Sequence, residues 1–456
     1  MHGSSDTLDD GLGHSLTEVE RVPQLVVALE GDRPLAGSAR FSLRGVDEVV
    51  IGRGLVRSAE RRSSAGLNQL LLSFPARSLS SIHARILRSQ GQWLLEDAGS
   101  RNGSFVDGRA VERATLSSAS VLQLGHVFFL LRTAMLQVQG GEEDLDGALL
   151  ARQPLATRTL LPTLTRSFES VARVAKTGLP ILISGDTGTG KEELARAIHE
   201  LSDREGPLLL APCGALSVER LEALAAQASQ GGTLFLDEIS DLSEATQVAL
   251  LALLDSLPAT APASPKRPEL LFISSSHLKP VDLLTAPRLR RDLHARLSGY
   301  VVSLPRLSER LEDMGNLVSG ILQCSPELAH AVRFTASAGT ALFTHDWPLN
   351  VRELKNALLS SVTLTEGGVV HLAHLPVSVT SRLPQPLSQP QSATSERSPR
   401  SDEERRLQAV LISSLAEHRG NVAAVSRALD KAPMQVHRWM KRFNIDPGEY
   451  RGPKKT

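Results

Sequence analysis

The pattern of apolar and polar positions changes character along the chain. Between residues 23 and 134, short apolar runs at 25–29, 48–51, 69–72, 84–87, 92–96 and 127–131 are separated by Gly, Asp and Ser turns. Many short strands at close spacing predict an all-β sandwich. From about residue 161, helical periodicity alternates with buried strands, notably Pro180 to Ser184 and Thr233 to Leu236, which predicts an α/β core. Residues 1–22 read as a loose polar tail, 135–160 as a linker, and 378–402, rich in Pro, Ser, Gln and Arg, as a flexible tether. Residues 403–446 have helical periodicity, within a C-terminal domain read as 403–456. Leu407, Val410, Leu411 and Leu415 form one stripe, and Gly420-Asn421 is a stop followed by an N-cap. Val425, Ala428 and Leu429 then face inward, and Pro433 opens a last helix. That helix has Val436, Trp439, Met440 and Phe443 on its apolar face.

Composition narrows the class. The 456 residues leave room for about three domains. Fifty Lys+Arg balance fifty Asp+Glu, so any nucleic-acid contact has to be local. Two cysteines, Cys213 and Cys324, exclude a disulfide framework and suit a reducing cytosol. No apolar run reaches the ~18 residues of a membrane span, and the acidic N-terminus is unlike a secretory signal. A cytoplasmic protein with no membrane partner is the expectation.

The densest chemistry lies at Gly185, Asp186, Thr187, Gly188, Thr189, Gly190 and Lys191, between an apolar strand and a helical run. Glycines let backbone N–H groups curl around phosphate, and Lys191 brings charge to its β/γ end. Glu192 follows where many such loops carry a Ser or Thr that ligates magnesium. Downstream, a buried strand ends in Asp237 and Glu238. The first carboxylate suits Mg²⁺ and the second can polarise an attacking water, giving ATP and Mg²⁺ as the expected cofactors.

These stretches resemble the AAA+ domain of sigma-54-dependent transcription activators, the bacterial enhancer-binding proteins, over about 161–376. The resemblance implies an α/β subdomain at 161–305 and a helical lid at 306–377. It implies arginine fingers at Arg290 and Arg296, acting on the γ-phosphate of a neighbouring subunit. It places the first sensor at Ser276-His277 and the second at Arg352. It also implies ATP hydrolysis and assembly as a homo-oligomer, from dimer to hexameric ring. Two departures stand out. The family's G-A-F-T-G-A loop, which touches the sigma factor, has no counterpart between Cys213 and Gly231. Pro212 stands where the family has an asparagine that restrains the catalytic glutamate.

Ile51-Gly52-Arg53, Ser80-Ser81-Ile82-His83 and Ser100-Arg101-Asn102-Gly103 together resemble a forkhead-associated (FHA) domain over 23–134. That resemblance implies a phosphothreonine-peptide site at Arg53, Ser80, Ser81 and Asn102, with His83 as a structural support beneath the loops. Residues 55–68, carrying Arg57, Arg61 and Arg62, read as an insertion whose basic side chains either favour an acidic ligand or are merely solvated. The C-terminal helices are similar to a Fis-type helix-turn-helix. Gln435, Arg438, Lys441 and Arg442 lie on the polar face of the last helix, and the segment carries eleven Lys+Arg against six Asp+Glu.

The expectation is therefore a multidomain regulator: an all-β sandwich, an α/β P-loop AAA+ core with helical lid, and an all-α helix-turn-helix. Its expected partners are DNA, a phosphothreonine protein and the RNA polymerase sigma-54 holoenzyme. Two other readings stay open: a sigma-54-independent regulator or antagonist using ATP only as a switch, and a phosphoprotein-docked remodeller or scaffold without DNA binding.

Overall fold

The computed structural model describes residues 19–64, 66–138, 144–256, 270–285, 289–324, 332–365, 368–381, 410–415, 417–418, 421–429, 436 and 439–440. They fall into two units, 1–384 and 385–456.

The first unit begins with thirteen strands: β1 (Val19–Glu30), β2 (Ala39–Ser42), β3 (Glu48–Arg53), β4 (Ser58–Ser64), β5 (Leu67–Phe74), β6 (Ala84–Ser89), β7 (Gln92–Asp97), β8 (Ser104–Val106), β9 (Arg109–Val111), β10 (Arg113–Leu116), β11 (Val121–Leu124), β12 (Val127–Val138) and β13 (Leu145–Asp146). They form two sheets, ordered β13-β2-β1-β12-β11-β8-β9 and β10-β7-β6-β3-β5-β4. The six apolar runs named above all lie within strands. Alternate residues of β1 and β12 (Leu25, Val27, Phe129, Leu131) fill the space between the sheets with Ile51, Leu72, Ile86 and Trp93. The intervening residues, Val26, Ala28, Phe128 and Leu130, are equally buried but belong to a different core. These strands are apolar on both faces because both faces are covered.

A five-stranded parallel sheet follows: β14 (Ile181–Ser184), β15 (Leu208–Pro212), β16 (Gly232–Asp237), β17 (Leu270–Ser276) and β18 (Tyr300–Ser303), in the order β15-β16-β17-β14-β18. Helices α1 (Pro162–Ala175), α2 (Lys191–Leu201), α3 (Val218–Ala228), α4 (Glu244–Ser256), α5 (Pro280–Thr285) and α6 (Arg291–Leu297) accompany it. Ligands of such sheets bind beyond the carboxyl ends of the strands. The lid adds α7 (Met314–Gln323), α8 (Ala336–Thr344), α9 (Asn350–Thr363) and α10 (Val377–Thr380), with a short parallel pair β19 (Arg333–Phe334) and β20 (Val369–Val370).

The lid and the sandwich share one hydrophobic core. Val26, Ala28, Leu29, Phe128 and Leu130 pack with Met314, Leu317, Val318, Phe334, Phe343 and Trp347. Phe128 stacks on Phe343 with ring centroids 5.1 Å apart. Every residue of α7 from Met314 to Leu322 is buried, the signature of a helix covered on all sides. Ser38 and buried Asn316 exchange hydrogen bonds, Ser38 N to Asn316 Oδ1 at 3.0 Å and Asn316 N to Ser38 Oγ at 3.2 Å.

The described residues of 135–160 are not a free linker. Strand β12 runs on to Val138, β13 extends the sheet beside β2, and Leu160 is fully buried, its carbonyl accepting from Arg40 at 2.7 Å. The cause is apolar residues in this stretch, Leu145, Leu150 and Leu160, which join the shared core. The tail expected to reach residue 22 ends earlier, because β1 already begins at Val19. Of the basic residues of 55–68, Arg57 is buried, whereas Arg61 and Arg62 stand on the exposed strand β4, each beside a carboxylate. Arg57 is buried between Glu30 and Asp146, Arg61 pairs with Asp144 at 2.6 Å, and Arg62 pairs with Glu60 at 2.8 Å.

In the second unit, Leu411, Leu415, Val425, Val436 and Met440 form a small buried cluster. Asn421 caps α11 (Val422–Ala428) by accepting from Ala424 N at 3.3 Å. Val410 and Ala428, expected inside, are exposed. Gln435, Arg438, Lys441 and Arg442 lie outside the described residues.

Candidate functional site

The phosphate loop leaves the end of β14 and enters α2 at Lys191. Gly188 and Gly190 have φ of 79° and 104°, left-handed values that suit only glycine. The lid grips the outer side of this loop at three successive carbonyls. Asn350 Nδ2 donates to Thr187 O at 3.0 Å, Arg352 N to Gly188 O at 3.2 Å, and Arg310 Nη2 to Thr189 O at 2.8 Å. Peptide planarity turns the N–H groups of Gly188 and Gly190 to the opposite side, where they are available to an anion. A Cβ on Gly188 would lie 2.1 Å from the Leu349 carbonyl oxygen, so this close lid contact requires glycine. Asp186 pairs with Arg306 at 2.5 Å, and Glu192 pairs with Arg196 at 2.5 Å along the edge of the neighbouring cavity.

A cavity of about 540 Å³ opens between loop and lid, a size usual for small-molecule sites. Its walls combine Lys191, Asp237, Glu238 and Arg352 with Leu317, Ile321 and Val351 of the lid. Pro154, Leu155 and Ala156 close it from the stretch read as a linker. Arg310, absent from the expected site, is buried at the cavity wall. The signals for these missed residues were an apolar stretch inside a supposed linker and a cation within the lid sequence.

Lys191 is 7% exposed and its ammonium donates to Gly185 O at 2.8 Å while pairing with Glu238 Oε1 at 3.0 Å. Asp237 Oδ1 accepts from Ser275 Oγ at 2.6 Å, and that hydroxyl accepts from Glu238 N at 3.0 Å. Glu238 has φ of 59°, an unusual left-handed value for a residue with a side chain. Its Oε2 accepts from the His277 backbone N–H at 2.8 Å and lies 2.7 Å from His277 Nδ1. Burial opposes ionisation of Glu238, but the hydrogen bonds from His277 and Lys191 and the Lys191 charge outweigh it, holding its carboxyl below the usual range. The structure therefore brings together the phosphate loop, Asp237, Glu238, His277 and Arg352. It does not bring Arg290 and Arg296 to this cavity. Both are exposed on or beside α6, paired with Asp292 at 2.6 Å and with Asp255 at 2.8 Å.

On the sandwich, Arg53, Ser80, Ser81 and Asn102 come together from the end of β3 and two loops. Arg53 N donates to Ser80 O at 2.9 Å, Ser80 Oγ accepts from Arg101 N at 3.1 Å, and Asn102 Nδ2 donates to Ser78 O at 2.7 Å. A Cβ on Gly52 would stand 2.0 Å from Ser81 O, which explains the glycine before Arg53. His83 supports the loops from beneath, accepting from Ser80 N at 3.2 Å through Nδ1, with Nε2 3.2 Å from Gly103 O. Burial lowers the pKa of its ring, which favours the neutral form these contacts need. The Arg53 and Ser81 side chains are exposed.

A continuous set of hydrogen bonds leads from these loops to the lid. Ser78 Oγ donates to Asp32 Oδ2 at 2.9 Å, and Asp32 Oδ1 lies 2.8 Å from His126 Nδ1. Gly31 N then donates to His126 O at 2.7 Å, and Phe334 N of the lid donates to Gly31 O at 2.7 Å.

Comparison with known proteins finds three matches in tandem: residues 49–125 match the FHA domain, 162–307 the sigma-54 interaction domain, and 308–392 the AAA+ ATPase lid domain. The chain is 31% identical over 312 residues to the hydrogenase transcriptional regulatory protein HoxA of Cupriavidus necator, covering 61% of this chain and 63% of that one. It is 33% identical over 253 residues to the transcriptional regulatory protein ZraR of Escherichia coli K12, covering 50% and 57%. The chain thus spans less than two thirds of either relative. Among solved structures, NtrX from Brucella abortus in complex with ATP is 27% identical over 62% of this chain and 68% of that one, with a TM-score of 0.43. Among the described residues, no helix is long and apolar enough to cross a membrane.

Proposed function

We propose that this chain is an ATP-dependent transcription regulator of the sigma-54 activator type. In this reading it senses a phosphothreonine protein through its sandwich and binds DNA through its C-terminal helices. The observation that carries the reading is a cavity walled jointly by phosphate loop, acidic strand end and lid arginine, on a lid that shares its core with the sandwich.

ATP enters with its phosphates against the loop N–H groups and Lys191, and its base toward the apolar wall of Leu155, Leu317, Ile321 and Val351. Among the described residues no cluster of three His, Cys, Asp or Glu side chains could hold a metal alone. Asp237, at the end of β16 on the cavity wall, would hold a Mg²⁺ that accompanies the triphosphate. Such an ion would supply neutralisation of the phosphate charge. Glu238 takes a proton from the water whose oxygen attacks the γ-phosphorus as the bond to the β–γ bridging oxygen breaks. Arg290 and Arg296, exposed away from their own cavity, serve the neighbouring subunit of a homo-oligomer. At the sandwich, Arg53 offers its guanidinium fork to the phosphate, with Ser80 and Ser81 as hydroxyl donors and Asn102 holding the peptide backbone. Gln435, Arg438, Lys441 and Arg442 read the DNA. Phosphopeptide binding then biases the lid, and with it nucleotide affinity, because the two modules cannot move independently across a shared core.

Titration with a fluorescent ATP analogue tests the pocket. Lys191→Ala abolishes binding, and an unchanged affinity would refute the assignment.

One observation favours a second reading within the same class. The 19 residues from Cys213 to Gly231 are filled by a single turn and helix α3. That leaves no chain for a sigma-contacting hairpin and favours a sigma-54-independent regulator. Transcription with purified polymerase carrying each sigma factor separates the two.

A further inference from the structure

We infer that His277 is the positioning residue that restrains Glu238 while the cavity is without nucleotide, supplying from β17 the hold that Pro212 on β15 cannot. The inference rests on the reading of Glu238 as the group that polarises water.

Strand β16, which ends in Asp237, lies between β15 and β17. Either neighbour can therefore reach the carboxylate that follows. On the β15 side, Pro212 is the residue in register with Asp237, and proline carries no side-chain donor. On the β17 side, His277 follows Ser276 and gives Glu238 two contacts to one oxygen, the peptide N–H at 2.8 Å and ring Nδ1 at 2.7 Å. Lys191 takes the other oxygen at 3.0 Å. With both oxygens engaged, one of them twice, and the backbone in a left-handed conformation, the carboxylate is held in an orientation set by its protein partners rather than by a water.

A triphosphate competes for Lys191 and so releases Oε1. The His277 contacts on Oε2 then remain. The ring is 46% exposed, so it swings aside without disturbing the core. Release of Glu238 is thereby tied to events at the end of β17, where a γ-phosphate would be felt.

The test uses the full chain with Mg²⁺-ATP. In His277→Ala the peptide N–H contact persists and only the ring contact is lost. The expected result is a rise in kcat of about tenfold, the population change from losing one charge-assisted hydrogen bond, with KM unchanged. His277→Gln, which keeps a side-chain donor, returns kcat toward the original value. A fall in kcat, a parallel change in KM, or identical behaviour of the two variants overturns the inference.

Absence of hydrolysis in the unsubstituted chain would refute the hydrolytic reading without deciding the restraint. Histidine ¹⁵N NMR of the nucleotide-free chain decides it in every case. Glu238→Gln and addition of ATPγS each shift the His277 Nδ1 resonance if the restraint exists. A resonance indifferent to both overturns it.

Discussion

Gly315→Ala separates two forces that act in opposite directions at the junction of sandwich and lid. Gly315 is the second residue of α7, and its φ lies outside the left-handed region, so alanine fits the backbone. On helix propensity alone the change stabilises by up to about 1 kcal/mol. Packing says otherwise. A Cβ at this position lies 2.6 Å from the Ala28 carbonyl oxygen, 2.8 Å from Ser38 Oγ and 3.0 Å from Ser38 N. Atoms at van der Waals contact stand about 3.5 Å apart, so the sandwich has to retreat by roughly 0.5–1 Å. Ala28 sits at a β-bulge, but the residues on either side of it are held, Val27 by β2 and β12 and Leu29 by β12, so it cannot give way alone. Overpacking of this kind costs about 1–3 kcal/mol, and the Ser38–Asn316 exchange adds about 1 kcal/mol for each bond weakened. The net expectation is a loss of about 1–3 kcal/mol after the helix gain is subtracted. Urea unfolding followed by tryptophan fluorescence reads it, because Trp93 sits in the sandwich and Trp347 in the lid. In the original chain the two report one transition; in the variant the transition moves to lower urea or splits. A variant as stable as the parent, or more stable, would refute the shared core.

Other outcomes follow from the same structure. Burial pushes the fully buried Asp313 carboxyl up to about 6, so the folded chain holds a proton there that the unfolded chain has released. Stability therefore falls as pH rises from about 4 to about 6, by about 3 kcal/mol for this group, and Asp313→Asn flattens that slope in urea titrations at stepped pH. Arg57→Ala leaves Glu30, 1% exposed, without its nearest cation and destabilises by about 3 kcal/mol or more, measured by thermal unfolding. Arg53→Ala abolishes preference for phosphorylated over plain peptide in anisotropy binding and leaves ATP affinity of the unliganded chain unchanged. Arg438→Ala and Lys441→Ala each weaken binding to the specific DNA site by about 1–3 kcal/mol and relax its sequence preference, measured by competition with unrelated DNA.

Much of the fold was legible because local pattern and tertiary role agree. The strands of the sandwich and the strand–loop–helix of the phosphate loop fall where apolar runs and glycines put them. Asn421 caps a helix as its position after Gly420 implied. What escaped was contact between distant segments. Residues 145–160 look like a linker when read alone, because the partners of Leu145, Leu150, Leu155 and Leu160 lie far away in sequence, in the sandwich, the lid and the cavity. The apolar runs 25–29 and 127–131 carried a cue in their lack of alternation, which marks strands covered on both faces. The pairing of Arg57, Arg61 and Arg62 with Glu30, Asp146, Asp144 and Glu60 has no local signature beyond the Glu60–Arg62 pair. At the cavity, the loop and its acidic partner were plain in the sequence, whereas the grip of Asn350 and Arg310 on the loop carbonyls depends on how the lid folds over.

The claim that the sandwich and the nucleotide cavity act as one device is tested most directly by the dissociation constant of ATPγS, measured twice on the full chain. One titration is done with a tightly bound phosphothreonine peptide at saturation, the other with its unphosphorylated twin. Coupling through the lid predicts a difference of about fivefold or more, with the same factor recovered when peptide affinity is measured with and without nucleotide. Equal constants in the two titrations would contradict it.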